Sequence, residues 1–259
     1  MSAIRIISWN VNGLRAAARK GFSDWLESDS PDVVGLQEVR AHQEQVPPES
    51  GSPAQYCTHY FPAVKRGYSG VALFSRRSPQ EIETSLGEER FDEEGRFQLA
   101  RIDGLWVANV YFPNGNGKNR DNSRIPYKLD FYRAVFDRLE DLRRTEAVIV
   151  MGDFNTAHED IDIARPKDNK NNSGFRAEER EELDRWLRSG WTDSFRAMHP
   201  ETVRYSWWSQ RKGVRERNIG WRIDYALLSP KAAQRLVGSE ILTHVLGSDH
   251  CPIMTRLEQ

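Results

Sequence analysis

Short apolar runs recur along the chain and predict a fold that is rich in β-strands. They are enriched in Val, Ile, Phe, Tyr and Trp and are bounded by Gly, Pro, Asn or Asp, which is typical of strands. The predicted strands cover residues 4–11, 33–39, 71–75, 97–103, 105–112, 147–154, 222–228 and 252–257. Asp103-Gly104 separates two of these runs, and this dipeptide favours a tight hairpin turn.

Apolar residues at helical spacing predict four helices between the strands. These cover residues 21–27, 127–143, 177–188 and 230–236. Pro230 suits the first turn of the last helix, because a proline there loses no intrahelical hydrogen bond. The helix at 127–143 has the clearest apolar stripe, formed by Leu129, Tyr132, Val135, Phe136, Leu139 and Leu142.

The number and order of these elements indicate an α/β fold with two packed sheets. Strands outnumber helices, many connections are hairpin-like, and the helices are spread along the chain. We therefore expect two mixed sheets flanked by helices rather than one doubly wound parallel sheet. The chain has 259 residues, 38% of them hydrophobic, without an internal repeat or a low-complexity linker. This predicts a single domain over residues 1–259.

The sequence argues against a membrane or secreted protein. No run of about 18 apolar residues occurs, so no transmembrane helix is expected. Residues 1–5 lead directly into a strand-like segment without the basic and apolar regions of a signal peptide. Cys57 and Cys251 have no partner spacing, which favours a reducing compartment. We expect a cytoplasmic monomer, associated with the nucleoid in a prokaryote.

Charge is balanced overall but unevenly distributed. The net charge is −1, from 37 basic and 38 acidic residues. Residues 80–94 contain seven carboxylates and one Arg, whereas residues 204–222 contain six basic residues and one acidic residue. Residues 118–128 and 165–176 each contain four basic residues and one acidic residue. Such polarity suits a polyanion bound on one face, with ordinary solvated loops as the alternative.

Polar clusters occur where several apolar strands end. They lie within residues 8–13, 35–38, 109–114, 150–155, 222–225 and 247–250. Each alone has a structural explanation, because Asp and Asn after a strand commonly cap a turn or a helix. Four of the clusters, however, place a carboxylate beside apolar neighbours, where burial is costly unless the group is paired or metal-bound. An oxygen-rich set without cysteine suits Mg²⁺ or Mn²⁺ rather than Zn²⁺.

The series of motifs resembles that of the exonuclease III family of AP endonucleases, in the family's order and over nearly the whole chain. The motifs are Trp9-Asn10-Val11-Asn12-Gly13-Leu14-Arg15, Leu36-Gln37-Glu38, Tyr111-Phe112-Pro113-Asn114-Gly115, Gly152-Asp153-Phe154-Asn155, Gly220-Trp221-Arg222-Ile223-Asp224-Tyr225 and Ser248-Asp249-His250-Cys251-Pro252. The resemblance implies the four-layered α-β-β-α sandwich of the wider endonuclease/exonuclease/phosphatase superfamily, the deoxyribonuclease I-like fold.

The resemblance also implies the activity of a DNA base-excision repair enzyme. Such an enzyme uses Mg²⁺, with Mn²⁺ as a substitute, to hydrolyse the phosphodiester 5′ to an abasic site in double-stranded DNA, leaving a 3′-hydroxyl. Companion 3′-phosphodiesterase and 3′→5′ exonuclease activities are compatible with it. A lipid or inositol phosphate hydrolase of the same superfamily is one alternative, but no export signal or membrane-docking loop is visible. A catalytically inactive DNA-binding module is another, but it would lack key site residues that are present here.

Carried over by position, the resemblance assigns roles to residues of this chain. Asp153 would activate the attacking water, and Asn155 would hold the phosphate. His250 would contact the scissile phosphate, oriented by Asp224. Tyr111 would place or protonate the leaving oxygen. Glu38 would be the principal member of the implied metal ligands, which are Asn10, Glu38, Asp153, Asn155, Asp249 and His250.

The resemblance places substrate recognition in two groups of residues. Trp207, Trp221 and Ile223 would line an apolar pocket for the flipped-out baseless sugar, whereas Trp208 would face the other side of its strand. Arg211 departs from the family, because some relatives carry a different duplex-inserting side chain there. The implied DNA contacts are Asn12, Arg15, Asn114, Asn172, Ser173, Arg211 and Lys212.

Overall fold

A computed structural model describes residues 3–259, so Met1 and Ser2 of the predicted N-terminal segment lie outside the described residues. Fourteen strands occur within this range. They are β1 (Ala3–Asn10), β2 (Val33–Gln37), β3 (Cys57–Phe61), β4 (Val71–Ser75), β5 (Glu81–Glu83), β6 (Phe97–Ile102), β7 (Leu105–Tyr111), β8 (Ala147–Asp153), β9 (Thr192–Asp193), β10 (Trp207–Trp208), β11 (Gly220–Trp221), β12 (Asp224–Leu228), β13 (Leu236–Ile241) and β14 (Ile253–Glu258).

Twelve of these strands form two six-stranded sheets. The first sheet has the order β13-β14-β1-β2-β4-β3, and the second has the order β5-β6-β7-β8-β12-β9. Each sheet contains one parallel pair at its centre, β1 with β2 and β7 with β8, while its other neighbours are antiparallel. The short strands β10 and β11 pair with each other as a separate ribbon.

The α-helices of the described residues include the crossovers that parallel strands require. Helices α1 and α2 connect β1 to β2, and α5 connects β7 to β8. Among the described residues, no helix combines the length and apolarity needed to cross a membrane. The helices are α1 (Leu14–Ala18), α2 (Phe22–Asp29), α3 (Pro48–Gly51), α4 (Glu89–Asp92), α5 (Ile125–Thr145), α6 (Pro166–Asn169), α7 (Ala177–Arg188), α8 (Ser194–Met198) and α9 (Pro230–Ala233).

Three apolar cores separate four layers. Between the sheets, inward-facing residues such as Ile6, Val107 and Ile149 form the central core. Helices α1 and α2 cover the outer face of the first sheet, and α5 and α7 cover the outer face of the second. Because strand side chains alternate between faces, each central strand contributes to an inner and an outer core. The predicted four-layered α-β-β-α sandwich is therefore confirmed.

The predicted strands and helices are present, but some bounds differ and several elements were missed. The predicted helix at 230–236 is wrong at its end, because α9 stops at Ala233 and Leu236 begins β13, which pairs with β14. The predicted helix at 127–143 is part of the longer α5, whereas residues 177–188 coincide with α7. Six strands were not predicted, namely β3, β5, β9, β10, β11 and β13.

Candidate active site

The space between the sheets changes from apolar to polar toward the carboxyl ends of the parallel strands. On β1 the inward-facing side chains are Ile4 and Ile6 and then Ser8 and Asn10. On β8 the series ends at Asp153, which is 1% exposed. Ligand sites in α/β sheets commonly lie beyond the carboxyl ends of the strands. The same end of both sheets therefore carries the candidate chemistry.

A layer of buried amides separates the apolar core from this polar end. The Gln37 side-chain Nε2 donates to Ser8 Oγ at 3.0 Å and to Asn109 Oδ1 at 2.7 Å. Asn109 Nδ2 in turn donates to Gln98 Oε1 at 3.2 Å. A Cβ on Gly35 would lie 2.5 Å from the Met151 Cε atom and 2.8 Å from Asn109 Oδ1. The two sheets are thus held at close range directly below the site.

Strand register brings the predicted catalytic residues of the second sheet into one row. Asp153 on β8 lies opposite Tyr111 on β7 and opposite Asp224 on β12. Asn10, at the end of β1 in the first sheet, faces this row. Its Nδ2 donates to Asp153 Oδ2 at 2.8 Å and to Glu38 Oε2 at 3.1 Å. One amide therefore connects carboxylates that extend from different sheets.

His250 and Asp224 form a buried pair beside Asp153. His250 Nδ1 lies 2.9 Å from Asp224 Oδ2, and His250 Nε2 lies 3.8 Å from Asp153 Oδ2. Ser206, which was not predicted, accepts the backbone N–H groups of Ile223 and Asp224 at 3.1 Å each. It fixes the turn that enters β12 and so helps to set the position of the Asp224 carboxylate.

Asparagines join Asp153 and Asp249 to the surrounding loops. The Asn155 backbone N–H donates to Asp153 Oδ1 at 2.8 Å, and the Asn155 Oδ1 accepts from Asn114 Nδ2 at 3.0 Å. Asn12 donates its backbone N–H to Asn10 Oδ1 at 2.9 Å and its Nδ2 to Asp249 Oδ1 at 2.8 Å. Asp249 is thus linked to Asn10 through the backbone and side chain of Asn12.

Three residues at the strand ends have left-handed backbone conformations. The φ angles are 47° at Asn12, 56° at Glu38 and 50° at Asn155. This conformation is uncommon for residues with a Cβ, least so for Asn, and it concentrates at functional sites. It turns the chain sharply after each strand and directs these side chains toward a common cleft.

Tyr111 rests on a buried arginine that sequence analysis missed. The Arg96 guanidinium lies 4.5 Å from the Tyr111 ring centroid and donates from Nη1 to the Tyr111 carbonyl at 3.1 Å. Its Nη2 donates to the Tyr68 hydroxyl at 2.9 Å, and its Nε pairs with Glu94. The available signal was an arginine directly before the apolar strand β6, a position where burial of the charge requires partners.

Burial and charge shift the pKa values of this row. Burial raises the pKa of the Asp153 carboxyl to about 7, with Asp224 adding to the rise and His250 opposing it. Burial alone would lower the pKa of His250, but the carboxylates of Asp224 and Asp153 raise it to about 10. Burial, with the charge of Glu38, raises the pKa of Tyr111 well above its ordinary value. At neutral pH the site thus has an imidazolium, a neutral phenol and a carboxyl group close to its titration point.

Oxygen donors are concentrated on one side of this row and fit a hard cation. Asp153, Asp224 and His250 have ligand atoms that all lie within 4.8 Å of one another, but the His250–Asp224 hydrogen bond already uses the Nδ1 atom. Glu38 and Asp153 instead share the Asn10 amide, while the second oxygen of Glu38 pairs with Arg40 and that of Asp153 accepts the Asn155 backbone N–H. Carboxylate and amide oxygens without thiolate are the donor set that Mg²⁺ or Mn²⁺ prefers.

The row opens into a cleft of about 1080 Å³. Predicted site residues in its lining are Asn12, Glu38, Tyr111, Asn114, Asp153, Asn155, Asn172, Ser173, Trp207, Arg211, Trp221, Ile223, Asp249 and His250. Asn10 and Asp224 are buried behind the row, and Arg15 and Lys212 are exposed outside the lining. The lining also contains Lys118 and Arg120 of the basic segment 118–128, as well as the unpredicted Arg40.

Several basic residues that were counted toward a polyanion surface are engaged inside the protein. Arg222 is buried against Asp162 and Asp193, and Lys128 is buried against Glu179. Arg215 stacks on Trp208 and donates to the carbonyl groups of residues 243, 245 and 248. The positive charge available to a ligand is therefore smaller than the sequence counts indicate, and it is concentrated at the cleft.

An apolar recess forms one end of the cleft. The rings of Trp207 and Trp221 meet edge to face, with centroids 5.9 Å apart. Both pack against the cluster that contains Ile223 and Phe175. Trp207 Nε1 donates to Asp249 Oδ2 at 3.2 Å, and its ring centroid lies 6.4 Å from that of His250. As predicted, Trp208 points to the other side and is buried.

Known proteins of similar sequence and structure include nucleases and a 3′ phosphatase. Residues 7–250 match the profile of the endonuclease/exonuclease/phosphatase family. An exodeoxyribonuclease of Bacillus subtilis (strain 168) is 41% identical over 252 residues, which cover 96% of this chain and 98% of the relative. The DNA repair nuclease APEX1 of Danio rerio is 37% identical over 254 residues, which cover 96% of this chain and 81% of the relative.

Solved structures that resemble this chain include an AP endonuclease and a 3′ phosphatase. An AP endonuclease from Archaeoglobus fulgidus is 28% identical, with a TM-score of 0.86 over 99% of this chain and 100% of that chain. The 3′ phosphatase NExo from Neisseria, solved as a variant bound to a product DNA hairpin, is 29% identical, with a TM-score of 0.89 over 99% of this chain and 100% of that chain.

Proposed function

Because this chain belongs to the endonuclease/exonuclease/phosphatase family, we propose that it is a DNA repair nuclease that incises duplex DNA on the 5′ side of abasic sites. The product would carry a 3′-hydroxyl. Removal of 3′-blocking groups and 3′→5′ exonuclease activity are proposed as companion activities, since they need the same chemistry at a 3′ end. We further propose that the enzyme works as a cytoplasmic monomer near the nucleoid.

The observation that supports this substrate best is the apolar recess beside the catalytic row. Trp207 contacts both the recess and the polar residues beside it, because its ring meets Trp221 while its Nε1 donates to Asp249. A deoxyribose without a base is small enough to enter a recess formed by two indoles and Ile223, whereas a full nucleotide brings a large polar base. Its phosphate would then lie at His250, next to the recess.

The side chains of the row match the steps of phosphodiester hydrolysis. Asp153 would accept a proton from the attacking water, since a base with a pKa near neutral pH is suited to this transfer. The His250 imidazolium and the Asn155 amide would bind the non-bridging oxygens and stabilise their developing charge. Tyr111 would act as a neutral phenol that donates toward the leaving oxygen.

Glu38 is the proposed principal metal ligand, and Asn10 and Asp249 would support it. The proposed ion is Mg²⁺, for which Mn²⁺ would substitute, because both take hard oxygen donors. When bound, the ion would supply charge neutralisation at the phosphate and stabilise the leaving group. Arg40 pairs with Glu38 at the mouth of the cleft and holds this carboxylate toward Asn10.

A labelled duplex that carries one tetrahydrofuran abasic analogue tests the proposal, with a matched intact duplex as the control. We expect one nick 5′ to the analogue in Mg²⁺, its loss in EDTA and its recovery with Mn²⁺. Ladders from the 3′ ends of both duplexes, without the nick, would make the protein chiefly an exonuclease. Cleavage of neither duplex would contradict the proposal and favour a lipid or inositol phosphate substrate.

Replacement of Trp207 separates the recess from the chemistry. We expect Trp207→Ala to lower the preference for abasic over intact duplex, measured as the ratio of kcat/KM values. Trp207→Phe is the matched control, because it keeps an aromatic wall but loses the hydrogen bond to Asp249. Unchanged discrimination in the alanine variant would show that the sugar is recognised elsewhere.

A further inference from the structure

A lysine and a glutamate form a completely buried ion pair beneath the cleft. Lys128 lies on α5 and Glu179 lies on α7, and both side chains are 0% exposed. The Lys128 Nζ and the Glu179 Oε1 are 2.6 Å apart. Removing both charges from water costs free energy. Packed apolar residues in their place often stabilise a helix–helix contact at least as well. We therefore infer the role of this ion pair from the other polar atoms that it contacts.

Lys128 holds the backbone of Asn155. Its Nζ donates to the Asn155 carbonyl oxygen at 2.7 Å. Asn155 has the left-handed φ of 50°, and its side-chain Nδ2 donates to the Phe112 carbonyl at 2.9 Å. A charged donor on the carbonyl of a residue in this conformation stabilises one orientation of its peptide. Lys128 thus acts on the residue that would bind the phosphate, without reaching the cleft itself.

Glu179 holds the loop on the opposite side. Its carboxylate accepts the Gly174 backbone N–H at 2.7 Å, the Arg176 backbone N–H at 3.2 Å and the Ser173 hydroxyl at 3.2 Å. The Ser173 Oγ also accepts the Gly115 backbone N–H at 3.0 Å. This loop lines the cleft through residues 172–174.

The segments held by Lys128 and by Glu179 contact each other at the cleft surface. A Cβ on Gly174 would lie 2.9 Å from the Trp221 ring and 3.0 Å from the Asn155 carbonyl oxygen. The loop held by Glu179 is therefore in close contact with both the residue held by Lys128 and a wall of the apolar recess. A shift of either segment would change the distance between Asn155, which would bind the phosphate, and the apolar recess.

We propose that Lys128 and Glu179 are positioning residues that set the spacing between Asn155 and the loop 172–176, and so align the scissile phosphate with the sugar recess. This inference rests on the proposed nuclease function. Lys128 would act mainly on kcat, because Asn155 is needed in the transition state. Glu179 would act mainly on KM, because the loop lines the cleft in which DNA would bind.

The double variant Lys128→Met, Glu179→Gln tests this role, because it removes the charge of both partners and leaves no unpaired buried ion. We expect its thermal midpoint to exceed that of Lys128→Met alone, while its kcat on the abasic duplex stays about 100-fold below wild type, as small misplacements of catalytic groups cause. The matched control is Arg133→Met, Glu182→Gln, which removes another contact between α5 and α7 away from the cleft.

The outcomes separate the two proposals. A wild-type enzyme that does not cut the abasic duplex defeats the proposed function, whatever the variants do. If wild type cuts and the double variant matches it in kcat and KM, the positioning role is wrong. Glu179→Asp keeps both buried charges and only shortens the carboxylate, so it is the milder second variant for the case that the double variant does not fold. We expect its KM to rise about 10-fold with a smaller change in kcat. A wild-type KM in that folded variant also overturns the inference.

Discussion

Asp153 is in a setting that differs strongly from that of an aspartate in water. It is 1% exposed, and its oxygens accept hydrogen bonds from Asn10 and from the Asn155 backbone. Loss of water favours the neutral form of a carboxyl group, while a nearby cation favours the charged form. His250 at 3.8 Å supplies that cation, so the charge of Asp153 depends on its neighbour. The proposed base and the proposed phosphate-binding cation therefore influence each other's charge directly.

Replacement of Asp153 by asparagine removes the proton acceptor but keeps the shape. We expect Asp153→Asn to lower the single-turnover cleavage rate by about 10²–10⁴-fold, while the free energy of unfolding and the duplex affinity change little. Quenched-flow cleavage, fluorescence anisotropy and urea unfolding measure the three quantities. The control is Asp137→Asn on the exposed face of α5, and near-normal turnover by Asp153→Asn would remove Asp153 from the mechanism.

Replacement of Asp224 by asparagine changes the pH dependence of cleavage. The Asp224 carboxylate raises the pKa of His250 and also that of Asp153. Its loss lowers both pKa values, so the imidazolium is lost at a lower pH and the Asp153 base becomes available at a lower pH. We expect both limbs of the kcat/KM profile for Asp224→Asn to move to lower pH than in wild type. An alkaline limb that stays in place would mean that His250 does not titrate in the reaction.

At the scale of elements, parallel pairing brings together residues that are far apart in the sequence. A helical crossover on the outer face joins the two strands of each parallel pair. The two pairs end on the same side of the sandwich, since the last residues of β1 and β8 are in contact there. Asn10 and Asp153 come within 2.8 Å although 143 positions separate them. Catalytic positions therefore follow directly from strand register.

Gly152 on β8 shows how closely this strand approaches β7. A Cβ at this position would lie 1.8 Å from the Val110 carbonyl oxygen, and its φ of 154° adds backbone strain for any other residue. We expect Gly152→Ala to lower the free energy of unfolding by at least about 1–3 kcal/mol through overpacking, measured by urea unfolding. Gly104→Ala is the control, because it also has a positive φ, of 77°, but has nothing within 4 Å. Equal losses in both variants would show that strain alone matters.

Sequence patterns predicted the long elements and the motif residues, but not the contacts that support them. The apolar stripe of α5 and the strand ends with Asp153 and His250 are local signals. Lys128 has no such signal, since its burial depends on Glu179, which is 51 positions away. The two-residue strands β10 and β11 are too short for a periodic pattern, and they exist because Trp207 pairs with Trp221. Long-range packing, which a single sequence does not encode locally, decided these features.

At the scale of the whole molecule, basic and acidic residues are unevenly distributed with respect to the cleft. The cleft lining includes Arg40, Lys118, Arg120 and Arg211. The carboxylates of residues 81–94 lie outside that lining in the described part of the chain. Lys118, Arg120 and Arg211 thus place positive charge in a cleft whose lining also carries Glu38, Asp153 and Asp249. Local distribution, rather than net charge, governs the approach of a polyanion.

This uneven distribution has a measurable consequence for duplex binding. If Lys118 and Arg120 neutralise phosphates, their binding releases counterions, and the logarithm of affinity falls linearly with the logarithm of salt concentration. We expect Lys118→Ala with Arg120→Ala to reduce that slope by roughly 0.9 for each phosphate that is no longer neutralised. Affinity for abasic and intact duplexes should weaken to the same extent, since binding to phosphates carries no direct sequence information.

Anisotropy titrations over a range of salt concentrations, in the Asp153→Asn background to prevent cleavage, measure the slope. Arg77→Ala is the matched control. Arg77 follows the end of β4 and pairs with Asp103 in the hairpin, at the end of the sandwich away from the cleft, so its removal should leave the slope unchanged. A slope that falls equally in the control would mean that DNA senses the total charge of the protein. An unchanged slope in the cleft variant would place the phosphate backbone elsewhere on the surface.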